Sequence, residues 1–144
     1  MYNNLHSKEN KQLVLRIPAT ILSNEALSFN EKLILGLDYT YHFKKGYNRL
    51  NNSTTGQLLC LHQNIISYSR KRLVQKGFLS KQNTKYTLTD KYKEIQVFDQ
   101  REVLLPFEIY HHQYLSTGAK LLWGEYNSIS MGRREYFAKR SYTS

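Results

Sequence analysis

The sequence predicts a mainly α-helical fold with a small β component, of the α+β class. Two segments, one opening at Ser28 and one running from about Gln63 to Lys76, repeat their apolar residues at helical spacing. Two others, Leu13 to Ile17 and Phe78 to Thr89, are short and rich in strand-favouring residues. With only 7 Gly and 2 Pro in 144 residues, the chain has the composition of an ordinary globular protein with a modest core.

Taken in order, residues 1–12 (MYNNLHSKENKQ) are polar and uncapped and read as a flexible arm. Leu13-Val14-Leu15-Arg16-Ile17 is a β-like run stopped by Pro18. Ser28-Phe29-Asn30-Glu31 forms a capping box, in which hydroxyl and carboxylate each satisfy a backbone amide at the helix start. The helix behind it carries Leu33, Ile34, Leu37 and Tyr41 on one buried stripe and ends near Lys44-Lys45-Gly46. Asn51-Asn52-Ser53-Thr54-Thr55 supplies N-cap chemistry for a shorter helix through Leu59, followed by a break at Cys60-Leu61-His62. The third helix runs from about Gln63 to Lys76, where Gly77 ends it. Phe78 to Lys81 and Lys85 to Thr89 then pair as a β-hairpin around Gln82-Asn83-Thr84, and Glu94 to Phe98 alternates like a further strand. This is the order of a winged helix-turn-helix domain over residues 13–90, with 91–104 as strand and linker.

Charge points the same way. The chain carries 21 Lys+Arg against 11 Asp+Glu, a formal +10. Residues 1–90 hold 13 basic and 5 acidic side chains, whereas 91–144 hold 8 and 6. Arg70, Lys71, Arg72, Lys76, Lys81, Lys85, Lys91 and Lys93 oppose only Asp90, a pattern suited to a polyanion or, more plainly, to a solvated surface. No apolar run approaches a membrane span and no secretory signal is visible, so a soluble, cytoplasmic protein with no membrane contact is expected. A single cysteine, Cys60, excludes an internal disulfide and cannot supply a cysteine-based zinc site alone.

The third helix separates the functional readings. On a helical wheel Ile65, Ile66, Ser69 and Leu73 point to a core, while Asn64, Ser67, Tyr68, Lys71 and Gln75 point away, flanked by Gln63 and Arg72. Asn and Gln match adenine edges, Arg and Lys match guanine or phosphate, and Ser and Tyr donate to phosphate oxygens. Double-stranded DNA is the expected partner, read by Gln63, Asn64, Ser67, Tyr68, Lys71 and Arg72, with Lys81 and Lys85 of the hairpin on the neighbouring backbone. An exposed helix face is polar in any protein, and what distinguishes this one is the short helix, tight break and basic ribbon around it.

Ser53 to Leu79 (STTGQLLCLHQNIISYSRKRLVQKGFL) with Tyr86-Thr87-Leu88-Thr89 resembles the winged-helix DNA-binding domains of phage and plasmid replication proteins and related regulators. Arg16-Ile17-Pro18, Leu27-Ser28, Arg72-Leu73 and Lys76-Gly77-Phe78-Leu79 carry most of the likeness. The resemblance implies a third helix in the major groove, a wing on the backbone, and a role in replication initiation or transcription regulation of a mobile element. Winged helices also serve as protein-interaction modules. Three residues depart from the pattern: Thr55 stands in a slot usually filled by Leu, Cys60 in one usually given to Gly, and Arg70 where a small or aliphatic residue is expected.

An internal repeat adds a second expectation. Ile17–Gly36 and Leu105–Gly124, offset by 88, share 7 of 20 residues: Pro18/Pro106, Ile21/Ile109, Leu27/Leu115, Ser28/Ser116, Lys32/Lys120, Leu33/Leu121 and Gly36/Gly124. The paired glycines predict a close crossing with the next helix, and Trp123, the match of Leu35, reads as a packing residue. Residues 105–144 are thus a partial second copy, reaching a short helix near Ser141 to Ser144 but no second reading helix or wing. Its apolar residues Leu121, Leu122, Trp123, Tyr126 and Ile129 are expected to bury against the first domain or, in a homodimer, against a second chain.

Catalytic constellations are thin, and no enzyme, metal or cofactor is expected. No His-x-His occurs, and the adjacent His111 and His112 do not converge on one ion. Cys60 near His62 reads as a small buried thiol rather than a nucleophile pair. Glu25, Glu31, Glu94 and Asp99 form no acid–base pair, and no phosphate-binding glycine loop is present. His6, Lys8 and Lys11 of the arm, and the cluster Arg133, Arg134, Lys139 and Arg140, are further candidate phosphate contacts or plain solvated charge.

Overall fold

A computed structural model describes residues 13–91 and 101–128. The elements are β1 (Leu15–Pro18), α1 (Ala19–Leu22), α2 (Phe29–Lys45), α3 (Asn52–Leu59), α4 (Gln63–Gln75), β2 (Leu79–Gln82), β3 (Lys85–Leu88), β4 (Glu102–Leu105), α5 (Phe107–Tyr110) and a longer helix, α6, over 117–128. They make an α+β fold with two antiparallel two-stranded sheets, β1–β4 and β2–β3. Among the described residues no helix is long and apolar enough to cross a membrane. The arm, the strand expected at Glu94 to Phe98 and everything expected beyond Ser128 lie outside the described residues.

Local chemistry sets the helix ends. Ser28 accepts from the Glu31 amide and Glu31 from the Ser28 amide, closing the capping box of α2, and Gly46 stops that helix in the left-handed region at φ 89°. Asn51 caps α3 by accepting from the Thr54 amide. The hairpin turns through Asn83 at φ 58° and Thr84, one residue tighter than the sequence suggests. Asn48 and Tyr86 exchange both backbone hydrogen bonds at 2.8 Å, so the chain between α2 and α3 lies against β3.

The expected single stripe on α2 is too narrow. Leu33, Ile34, Leu35, Leu37, Tyr39 and Tyr41 are all buried, and so are Gly36, Asp38 and Thr40 between them. The helix is an axle enclosed on every side by β1, α4 and β3. Full burial of each aliphatic side chain contributes about 1.5–3 kcal/mol.

The order strand, short helix, long helix occurs twice, with α1 and α5 at the same 88-residue offset as the sequence repeat. The two strands pair with each other in the register Leu15 to Leu105, Arg16 to Leu104 and Ile17 to Val103. Since the repeat equates Leu15 with Val103 and Ile17 with Leu105, each strand meets its mate about a local two-fold through Arg16 and Leu104. The starts of α2 and α6 obey the same symmetry: the Thr117 hydroxyl donates to Asn30 Oδ1 at 2.7 Å, and the Phe29 ring lies over Gly118. Val103, Leu105, Tyr110 and Leu121 share one core with the first copy.

One expectation about the repeat needs correction. The paired glycines face strands, not the next helix: a Cβ on Gly36 would lie 2.6 Å from Ile17 Cγ1, and one on Gly124 2.5 Å from Val103 Cγ1. Each long helix can approach its own strand closely because that position lacks a side chain. Of the apolar residues of the second copy, Leu121 is buried in the shared core, whereas Trp123, Leu122 and Tyr126 are 37%, 64% and 72% exposed in the single chain and so do not bury against the first copy.

Gly36→Ala should cost about 1–3 kcal/mol by overpacking, measured by urea unfolding. The cost should shrink in an Ile17→Ala background, where the colliding side chain is gone.

Candidate nucleic-acid interface

The two helices α3 and α4 are joined by Cys60, Leu61 and His62. Gly56 lets the turn close, since the Leu61 amide donates to Gly56 O at 2.9 Å and a Cβ there would collide with the Leu61 carbonyl oxygen. Cys60 takes the left-handed conformation, φ 56°, that a glycine would adopt in its slot without strain. Its thiol is half-buried and neighbours His111, not His62: Sγ donates to His111 O at 3.0 Å. His62 instead caps α4, its Nδ1 accepting from the Asn64 amide at 3.1 Å.

Beneath α4 lies a polar cluster the sequence does not announce. Arg70, counted in the basic segment, is only 2% exposed. Its guanidinium donates to Asn52 Oδ1 at 2.8 Å and Thr55 Oγ1 at 3.1 Å and stacks 4.4 Å from the Tyr86 ring centre. The departures at Thr55 and Arg70 are therefore two halves of one contact. Asp38, fully buried in α2, accepts from Asn48 Nδ2 at 2.7 Å. Burial pushes the Asp38 carboxyl up to about 6, against the opposing pull of the Arg70 charge and the Asn48 hydrogen bond.

A second cluster ties α4 to the start of α2. Glu31, 1% exposed, receives Arg72 Nε at 3.0 Å and Lys76 Nζ at 2.7 Å. Burial raises its carboxyl, but Lys76, the Ser28 amide and Arg72 outweigh that and hold it below its ordinary value. Lys76 also donates to Ala26 O, and Lys91 to Lys76 O, so part of the positive charge near α4 is spent on carbonyls and carboxylates of the fold.

The sequence-derived site residues fall as follows. Gln63, Asn64, Tyr68 and Lys71 are exposed on one side of α4, with Ser67 half-buried among them. Arg72 borders this group, but its Nε is engaged by Glu31 and its Nη1 donates to the Tyr68 hydroxyl at 3.3 Å, so the two side chains are held as a pair. Lys81 is exposed on β2, and Lys85 on β3 sits 4.5 Å from the Tyr47 ring centre. Tyr47 and the exposed Arg49, whose guanidinium lies 5.3 Å from the same ring, belong to this edge and were missed, because they precede α3 in sequence and reach the hairpin only through the Asn48–Tyr86 bridge. Ile65 corrects the wheel: it is 38% exposed, and the inward positions are Ile66, Ser69, Arg70 and Leu73. Among the described residues no group of three or more His, Cys, Asp or Glu is placed to hold a metal ion.

The two buried carboxylates respond to pH with opposite sign. Asp38 gains a proton affinity on folding, so its contribution is complete below about pH 4 and is lost as pH rises through about 6, a span worth at most about 3 kcal/mol. Asp38→Asn should flatten the stability profile over that window in denaturant titrations. Glu31 is depressed, so its contribution is present above its ordinary value of 4.5 and lost as pH falls through the folded value. Glu31→Gln should cost about 1–2 kcal/mol at pH 7 and remove that acid-side loss.

Compared with protein-family models, curated proteins and solved structures, the chain matches none.

Proposed function

We propose that this chain binds double-stranded DNA sequence-specifically as a winged helix-turn-helix protein, with α4 in the major groove and the β2–β3 hairpin as a wing on the adjacent backbone. The observation that carries this reading is the outward side of α4. Gln63, Asn64, Tyr68 and Lys71 stand exposed there, directly after a tight turn and beside the basic hairpin edge of Lys81, Lys85 and Arg49. Amide side chains at the start of such a helix meet base edges, and cations along it and on the wing meet phosphates. The setting implied by the family resemblance is replication initiation, or regulation of a phage- or plasmid-like element, in the cytoplasm. In this reading the chain binds and performs no chemical step.

A second reading has one observation of its own. Leu122, Trp123 and Tyr126 expose apolar surface on α6, which favours a protein contact through residues 105–144, in the simplest case a homodimer. Light scattering over a concentration series separates the two: a dimer is expected if this surface self-associates, and a concentration-independent monomer ends that reading.

Selection from random duplexes at fixed salt, followed by titration, tests DNA binding. With about six phosphate contacts, affinity should fall with a log–log salt slope near about −5. Lys71→Ala should weaken all duplexes by a similar factor, whereas Asn64→Ala should cost about 1–3 kcal/mol on the selected duplex and little on others. Both variants binding like the wild type would remove α4 from the interface.

A further inference from the structure

We infer that Lys120 and His111, from the second strand–helix–helix unit, are positioning residues that clamp the turn aiming α4. The inference rests on the DNA reading for its effect on sequence preference, but the clamp itself stands on geometry. A helix leaves its last carbonyls without internal partners, and buried ones must find donors elsewhere. At the end of α3 both donors come from the other unit. Lys120, 1% exposed, donates through Nζ to Leu59 O at 2.7 Å. His111 Nδ1 lies 2.8 Å from Leu58 O, a contact that requires its proton on that nitrogen, and the ring is held by stacking on Phe107. The next residue, Cys60, returns a bond from its thiol to His111 O at 3.0 Å. Three contacts thus converge on the left-handed residue from which the chain turns into α4.

The repeat shows that this is not simply an inherited packing solution. Lys32, the mate of Lys120, donates to Leu22 O at 2.6 Å within its own unit. The corresponding carbonyl for Lys120 would be that of Tyr110, yet it reaches instead to α3. A buried ammonium is costly to keep, and burial pulls this one below its ordinary range, with nearby Cys60 opposing. What it holds in return is the C-terminal end of α3, where a cation is favoured by the helix dipole. Because α4 starts three residues after Cys60, a small rotation there swings the whole 13-residue helix and re-aims Asn64, Ser67 and Lys71 together.

Lys120→Met and His111→Phe each remove one donor while keeping the packing volume, the second also keeping the stack on Phe107. In the full chain, hydrogen exchange of the amides of residues 60–66 should accelerate at least ten-fold in either variant, with the Tyr86 amide unchanged. Affinity for the selected duplex should fall about ten-fold while unselected duplexes bind as before. Exchange that is unchanged, or faster by one factor throughout, overturns the clamp, as does local loosening with wild-type discrimination. A wild-type chain with no duplex preference sinks the DNA reading, and the exchange pattern then decides the clamp by itself.

Discussion

A guanidinium removed from water demands partners for its charge and its donors, and Arg70, whose buried Nε has no hydrogen-bond partner among the described residues, imposes that demand on the middle of this molecule. Its donors reach Asn52 and Thr55 on α3, its face lies on Tyr86 of β3, and Asp38 of α2 supplies the opposing charge. Four elements thereby share one buried cation. Such an arrangement adds little net stability compared with an apolar core of equal volume, but losing any member leaves charge or dipole stranded. Its consequence is orientation: α4 cannot roll about its own axis without breaking the contacts to α3 and the hairpin together. The exposed amides and cations opposite Arg70 inherit that fixed attitude, which the proposed DNA reading requires of them.

Local signals were legible where a residue's partner lies within one turn. The Ser28–Glu31 box, the Asn51 cap and the left-handed Gly46 are all short-range solutions to unpaired backbone groups, and all were readable from spacing. So was the outward side of α4, because polar residues recur there at helical period. Residues whose role depends on distant partners were not. Arg70 stands in a slot that suits a small or aliphatic residue, and nothing in the spacing shows that Asn52, Thr55 and Asp38 are placed to offset its burial. Lys120 and His111 gave no signal of reaching α3, since carbonyls as acceptors leave no mark in sequence. Ile65 errs in the other direction, an apolar residue at the margin of the buried sector that the fold leaves partly in water. The formal charge likewise overstates the usable positive surface, because Arg70, Lys76 and Lys120 are committed to interior or helix-end acceptors.

The duplication is better described as one body with two-fold internal order than as two beads on a string. The repeated strands are each other's partners among the described residues, the repeated glycines admit their own strands, and the starts of α2 and α6 abut across the same axis. Equivalence stops at the outer face of α6. The positions of α6 that match Ile34, Leu35 and Asp38 carry Leu122, Trp123 and Tyr126, and the surroundings that enclose the first set do not enclose the second. Symmetry in the scaffold thus coexists with asymmetry in what it displays.

The pairing of β1 with β4 also sets an order in time. As the chain leaves the ribosome, Leu15 and Ile17 emerge well before the strand that pairs with them, which ends at Leu105. Until that stretch has been synthesised, the first strand can pack its side chains on α2 but presents an edge of unsatisfied backbone groups to whatever surrounds it. Closing so large a loop is entropically slow compared with forming the helices between. The helices between the two strands can therefore form before the β1–β4 sheet closes, and completion of the fold is tied to translation of the second copy.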